Sequence, residues 1–275
     1  MRKQRSFTVL DGVVAAVFVT SAALLGTADL QGHDFKRFVR PVVFQAAGPN
    51  PASIQSTVDQ YRAALGAVNN GNAPGPLAEG RREINWDGGG STATSPGPTP
   101  FTVFLNSRGA NITTPGSGFV QAPLDGLVST FGNPTYATIF QPFSPVRFFS
   151  PVGSNETEVE FFVPGGTNVP ARTTGFGAVF SDVDEQEDDK RSWHRERDAT
   201  VIEYVDENYD VIYRGIVPAS PGDASLSFFG IVFKDAKIAR VKITTGNKAP
   251  GRNDTRRRDI VMMDDFLYGE PRPQH

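Results

Sequence analysis

The chain has 275 residues with 28 Gly, 21 Pro and no cysteine, and its formal net charge is −3. The missing cysteines exclude disulfides, Cys-ligated zinc and thiol nucleophiles, and so small a net charge supplies no broad field for nucleic acid. With 39% hydrophobic residues and 21 Phe there is ample core material, so Gly and Pro mark turns between short apolar runs.

Arg2, Lys3 and Arg5 precede an apolar stretch over residues 12–25, and Gly26-Thr27-Ala28 is a small-residue cleavage site. The stretch is short for a membrane span of about 20 residues. Residues 1–28 are therefore expected to be a signal peptide or, if uncut, an anchor. The mature protein would be exported, secreted or held at the cell surface, with no membrane span after signal removal. Residues 29–50 are mixed and basic and read as a tether. Asn50-Pro51 is an N-cap followed by Pro at the first helical position. Ile54, Val58, Tyr61 and Leu65 follow at helical spacing and Gly66 is a stop, which predicts an amphipathic helix over 51–65. Its expected task is to cover an edge or end of a sheet. Residues 66–80 read as a linker, so 51–80 is helix plus linker.

Residues 81–270 read as strands and turns, and 271–275 as a tail. After a short strand over 83–86 and a polar loop over 91–100, strands are expected near 101–106, 117–121, 136–141, 146–150, 157–163 and 174–181. Further strands are expected near 200–205, 210–217, 225–233, 237–245 and 259–268. Ile238 to Thr244 alternates cleanly, and Asp206 to Asp210 is a hairpin connection. Residues 182–198, an acidic block followed by a basic one, read as a solvated loop. No repeat of fixed period is visible. The fold class is mainly β, a jelly roll or β-sandwich with one short N-terminal helix. It is one domain, or two subdomains divided near 151–170.

The best handle on chemistry is the last strand, an apolar run carrying Asp264 and Asp265 side by side. Burying a charge is costly unless it is paired or metal-bound. Asp182 and Asp184 share a face if the strand before them continues extended. Asp87 closes the first strand over 83–86, and first and last strands often neighbour each other. Two or three of these five Asp could meet at one calcium ion, which takes six to eight oxygen ligands. The competing reading is ordinary strand-end turn residues. Exposed aromatic rings can stack on a sugar, and the candidates are Trp193, Tyr209 and Tyr213, with rim packing as the alternative. Trp86 is assigned to the core.

Glu203, Asp206, Glu207 and Asp210 offer carboxylates for glycoside cleavage, but Gly-x-Ser-x-Gly, His-Glu-x-x-His and phosphate-binding glycine motifs do not occur. Gly88-Gly89-Gly90 lacks the Lys and the helix of a phosphate cradle. The arginine-rich run from Arg252 to Arg258 reads as a solvated loop balanced by Asp254 and Asp259, with polyanion binding as the alternative. Asn111, Asn155 and Asn253 fit the glycosylation acceptor pattern, which matters only in a eukaryotic secretory pathway.

Several runs in the last hundred residues form an ensemble: Gly175-Phe176-Gly177 to Asp182, Thr200 to Tyr204, Phe228-Phe229-Gly230-Ile231, Ile238 to Ile243 and Asp264-Asp265-Phe266 to Gly269. Together they resemble the galactose-binding-like jelly rolls of exported bacterial proteins. Residues 44–150, with Phe44 to Asn50 and Arg82 to Gly89, resemble a recurring set of secreted bacterial proteins of no established activity. The resemblance implies that a carboxylate of Asp264 and Asp265 helps hold a structural calcium. It departs from sorted members in lacking a Pro-Glu-Pro motif and membrane tail. The expected function is an exported, non-catalytic binding or structural module for an extracellular glycan. The alternative is a secreted polysaccharide hydrolase using paired carboxylates.

Overall fold

A computed structural model describes residues 40–274, apart from 89, 167, 185–198, 221 and 254–257. In chain order the described strands begin with β1 (Val42–Gly48), β2 (Arg81–Ile84), β3 (Ser95–Gly97), β4 (Ala110–Thr113), β5 (Gly118–Ala122) and β6 (Phe148–Val152). They continue with β7 (Glu156–Phe161), β8 (Ala171–Arg172), β9 (Gly175–Ser181), β10 (Val201–Val205) and β11 (Val211–Ile216). The remainder are β12 (Leu226–Val232), β13 (Arg240–Thr244), β14 (Met262–Gly269) and β15 (Arg272–Pro273). The helices are α1 (Pro51–Leu65), α2 (Leu105–Arg108), α3 (Leu124–Phe131) and α4 (Tyr136–Ile139).

Two antiparallel sheets face each other. The wide one runs β1-β12-β9-β14-β6-β5-β3, with β2 also paired to β14, and the narrow one runs β11-β10-β13-β7-β4. Alternation along each strand sends one set of side chains into the space between them. Phe149, Phe176, Phe180, Phe229, Phe266 and Tyr268 from the wide sheet meet Ile112, Val159, Phe161, Ile202, Tyr204 and Val241 from the narrow one. The architecture is thus a mainly β sandwich, and its core draws on both sides of residues 151–170.

Because the wide sheet is apolar on its outer face as well, helices form a third layer there. Ile54, Val58, Tyr61 and Leu65 form the buried stripe of α1 and pack on Val179, Leu226, Phe228 and Leu267. The helix has the expected bounds, started by the Asn50 side chain accepting from Ser53 N at 3.1 Å. It lies across the face of the sheet, not along an edge or end. Its Tyr61 ring rests on a flat bed where Gly177 and Gly230 pair directly. A Cβ at Gly230 would meet the ring at 2.8 Å, so the glycines are needed for the close approach. The Tyr61 hydroxyl donates to Ile231 O at 3.1 Å. Beyond the other half of the same face, α3 and α4 cover Val120, Ala122, Phe148 and Met262.

Several expectations need correcting. Residues 42–48 of the expected tether form β1, whose pairing with β12 no local pattern announces. The expected strand near 101–106 is a single bridge at Phe101 followed by α2, and the one near 136–141 is largely α4. The polar loop over 91–100 contains β3, and the tail over 271–275 contains β15. Segment 66–80 has no helix or strand of its own, yet it is tightly anchored. Arg82 and Glu270, both buried, pair at 2.6 Å. Glu270 also accepts from Asn70 Nδ2 at 2.8 Å and Leu77 N at 3.1 Å, while Arg82 donates to Gly71 O and Ala73 O. The expected signal region over 1–28 lies outside the described residues.

Candidate functional site

In a regular strand Asp264 and Asp265 would point to opposite faces. Here Met263 pairs with Phe180 while Phe266 pairs with Ala178, so the two acids bulge out against the single residue Val179. Met263 and Phe266 both enter the inter-sheet core, which turns both carboxylates to the outer, helical face. The other edge of β14 is divided there, with β6 pairing at Met263 and β2 from Phe266 onward. The bulge thus occupies a seam between two partner strands and between two patches of the helical layer.

The segment from Phe140 to Arg147 crosses this seam and is pinned by carboxylates. Phe143 N donates to Asp264 Oδ2 at 2.7 Å, and the Ser144 hydroxyl lies 2.6 Å from Asp265 Oδ1 and 3.3 Å from Asp264 Oδ1. Val146 N and Arg147 N both donate to Asp87 Oδ1, at 2.7 and 3.0 Å. From α1, the Arg62 guanidinium reaches Asp59 at 3.1 Å, Glu83 at 3.1 Å and Asp265 at 3.5 Å. Trp86 is the floor of the site. Its backbone is left-handed at φ 66°, its ring stacks on Phe149 at 3.8 Å, and its Nε1 donates to Asp264 O at 2.8 Å. A bulky residue at positive φ is strained, and that stack and hydrogen bond hold it.

Asp264 is fully buried and Asp265 nearly so. Burial raises Asp264 well above the usual carboxylate range, and repulsion from Asp265 and Asp87 adds to this. Burial also raises Asp265, to about 6, opposed by the Ser144 hydrogen bond and the Arg62 charge. Asp87 does join the pair, because β2 and β14 are neighbours as the first-and-last-strand argument anticipated. Asp182 and Asp184 do not. The strand ends at Ser181 and Asp182 turns left-handed at φ 67°, so the extended geometry needed to align the two is lost. Asp184 lies toward Asp259, which accepts from its N at 3.4 Å, and Asp182 N donates to Ser225 O at 3.0 Å.

Calcium does not fit the bulge as it is built. Among the described residues no three His, Asp or Glu side chains form a group able to hold a metal ion. The oxygens of Asp264 and Asp265 already face an amide, a hydroxyl and a guanidinium, and a cation beside Asp265 disfavours a second one. Sequence reasoning missed Arg62, Ser144 and Glu83. Only the position of Arg62 on the helix, one residue past the buried Tyr61, hinted that it would lie beside the sheet.

The aromatic candidates divide. Tyr213 is half-buried against Tyr204 with ring centroids 6.0 Å apart. Tyr209, at the hairpin tip between β10 and β11, is 69% exposed and left-handed at φ 69°. The guanidinium carbon of Arg240 sits 3.9 Å from its ring centroid, and Glu207 of the same hairpin pairs with Arg172 of β8 at 3.1 Å. Trp193 lies outside the described residues. Asp206 caps the hairpin by accepting from Asn208 N and Asp210 N, and Glu203 pairs with Arg214 at 3.8 Å. No described helix is long and apolar enough to cross a membrane. Comparison of the chain with protein-family models, curated proteins and solved structures found no match.

Proposed function

We propose that the chain is an exported, non-catalytic binding or structural module of galactose-binding-like type, with an extracellular glycan as its ligand and the β10–β11 hairpin tip as its contact. The observation that carries the ligand reading is Tyr209. A bulky side chain at positive φ, in a turn position that suits Gly or Asn, is disfavoured by about 1–3 kcal/mol. Here it is kept, exposed, and braced by Arg240. A braced aromatic ring loses little freedom when a sugar C–H face stacks on it. The adjacent Arg172–Glu207 pair offers donors and acceptors to ring hydroxyls. A non-catalytic task is supported by three of the four carboxylates at this hairpin, since Asp206 serves the turn and Glu203 and Glu207 serve ion pairs.

A glycan array probed with wild type and Tyr209→Ala tests this. Tyr209→Ala should lose at least about 90% of the signal at an unchanged melting temperature, as expected for one stacking contact of ~1.5 kcal/mol. Equal signals from the two proteins would defeat the hairpin as the contact. Release of reducing ends from mixed polysaccharides by the wild type would favour the hydrolase instead.

A further inference from the structure

The donors that reach Asp264 are neutral: the Phe143 amide and the Ser144 hydroxyl. Among the described residues the one cation in the seam, Arg62, is directed to Asp265, Glu83 and Asp59. Arg81 is spent on Glu83 at 2.6 Å, and the Arg147 guanidinium turns to the carbonyls of Ala93 and Trp86. Asp87 adds a further negative charge from the end of β2, and β9 contributes only Val179 opposite the bulge. A fully buried carboxylate facing acids and reached by no cation of the described residues takes up a proton rather than stay charged. The hydrogen bonds provide a route for it. Ser144 has one hydroxyl proton, and the 2.6 Å contact directs it to Asp265. Its oxygen, 3.3 Å from Asp264 Oδ1, is then left to accept a hydrogen bond from a protonated Asp264 carboxyl.

We propose that Asp264 holds a proton at neutral pH while Arg62 balances Asp265, and that this pair is a proton-sensitive latch joining α1 and the Phe140–Arg147 segment to β14. The chain runs from the Asp264 carboxyl through the Ser144 hydroxyl to Asp265 and on to Arg62. When the proton leaves, Ser144 can satisfy only one of two negative carboxylates, and both repel Asp87 and Glu83. The seam is therefore tightest in acid. The raised position of both carboxyls agrees with this. A carboxyl raised in the folded state adds stability below its unfolded value, and loses it as pH rises through the folded one. The loss should begin near pH 4 and run through about 6 and beyond.

The test is the melting temperature of wild type and Asp264→Asn from pH 4 to pH 9, each in EDTA and in excess calcium. The wild type should melt roughly 5–10 °C lower at pH 8 than at pH 5. Asp264→Asn, an uncharged mimic of the carboxyl, should abolish most of that fall and exceed the wild type at pH 8. Arg62→Met should lose more stability at pH 8 than at pH 5. Should Asp264→Asn not fold, infrared spectra of the wild type decide, since a protonated-carboxyl band must be present at pH 7 and vanish at higher pH. Parallel pH profiles for wild type and Asp264→Asn, no such band, or a wild-type melting temperature raised by calcium would each overturn the latch.

Discussion

Replacing Glu270 by Gln strikes the most deeply buried ion pair among the described residues. Arg82 has no exposed surface, and its Nε and Nη2 sit 2.6 and 2.7 Å from the two Glu270 oxygens. The substitution leaves a guanidinium with carbonyl acceptors but no counter-charge, which costs about 3–5 kcal/mol. Glu270 also holds Asn70 and Leu77, so the loss extends to segment 66–80. At ~2–4 °C per kcal/mol for a chain of this size, the melting temperature should fall by roughly 10 °C. Urea unfolding should show a lower midpoint with an unchanged slope, and limited proteolysis should cut first within 66–80. Replacing both partners by apolar residues, Arg82→Met with Glu270→Leu, should recover much of the loss, because no charge is then stranded. A single-variant cost below ~1 kcal/mol, or a double variant worse than the single, would refute the reasoning.

Two further substitutions probe the helical layer. Gly230→Ala should cost about 1–3 kcal/mol in urea unfolding, because the added methyl meets the Tyr61 ring at 2.8 Å; Gly230→Ala with Tyr61→Leu should recover part of it. Asn50→Ala should cost about 1 kcal/mol by removing the acceptor of Ser53 N, with no effect on glycan signal.

The parts of the fold that could be read from residues alone are those whose cause is local. Asn50-Pro51, four apolar residues at helical spacing and Gly66 define α1 to the residue. Alternation marked β13, short apolar runs marked β9 and β12, and turn chemistry marked the hairpin at 206–210. The misses have non-local causes. Val42 and Val43 are exposed, so β1 exists because β12 offers an edge. Tyr136, Thr138 and Ile139 favour strands by type, yet they form α4 because Tyr136 and Ile139 are buried against Phe140 and Leu127 in the helical patch. Adjacent acids in an apolar run signalled a special position at Asp264. What answers their charge did not show, because Arg62 lies some two hundred residues earlier and is brought over only when α1 crosses the sheet.

In the wide sheet β14 lies between β9 and β6, yet it follows every other strand of both large sheets in sequence. Until it arrives, β1, β12 and β9 make one ribbon and β6, β5 and β3 another, with no ladder between them. The keystone is laid last. Every other strand of both large sheets is therefore made before the arch can close, and until then both ribbons present open edges to pairing with other chains.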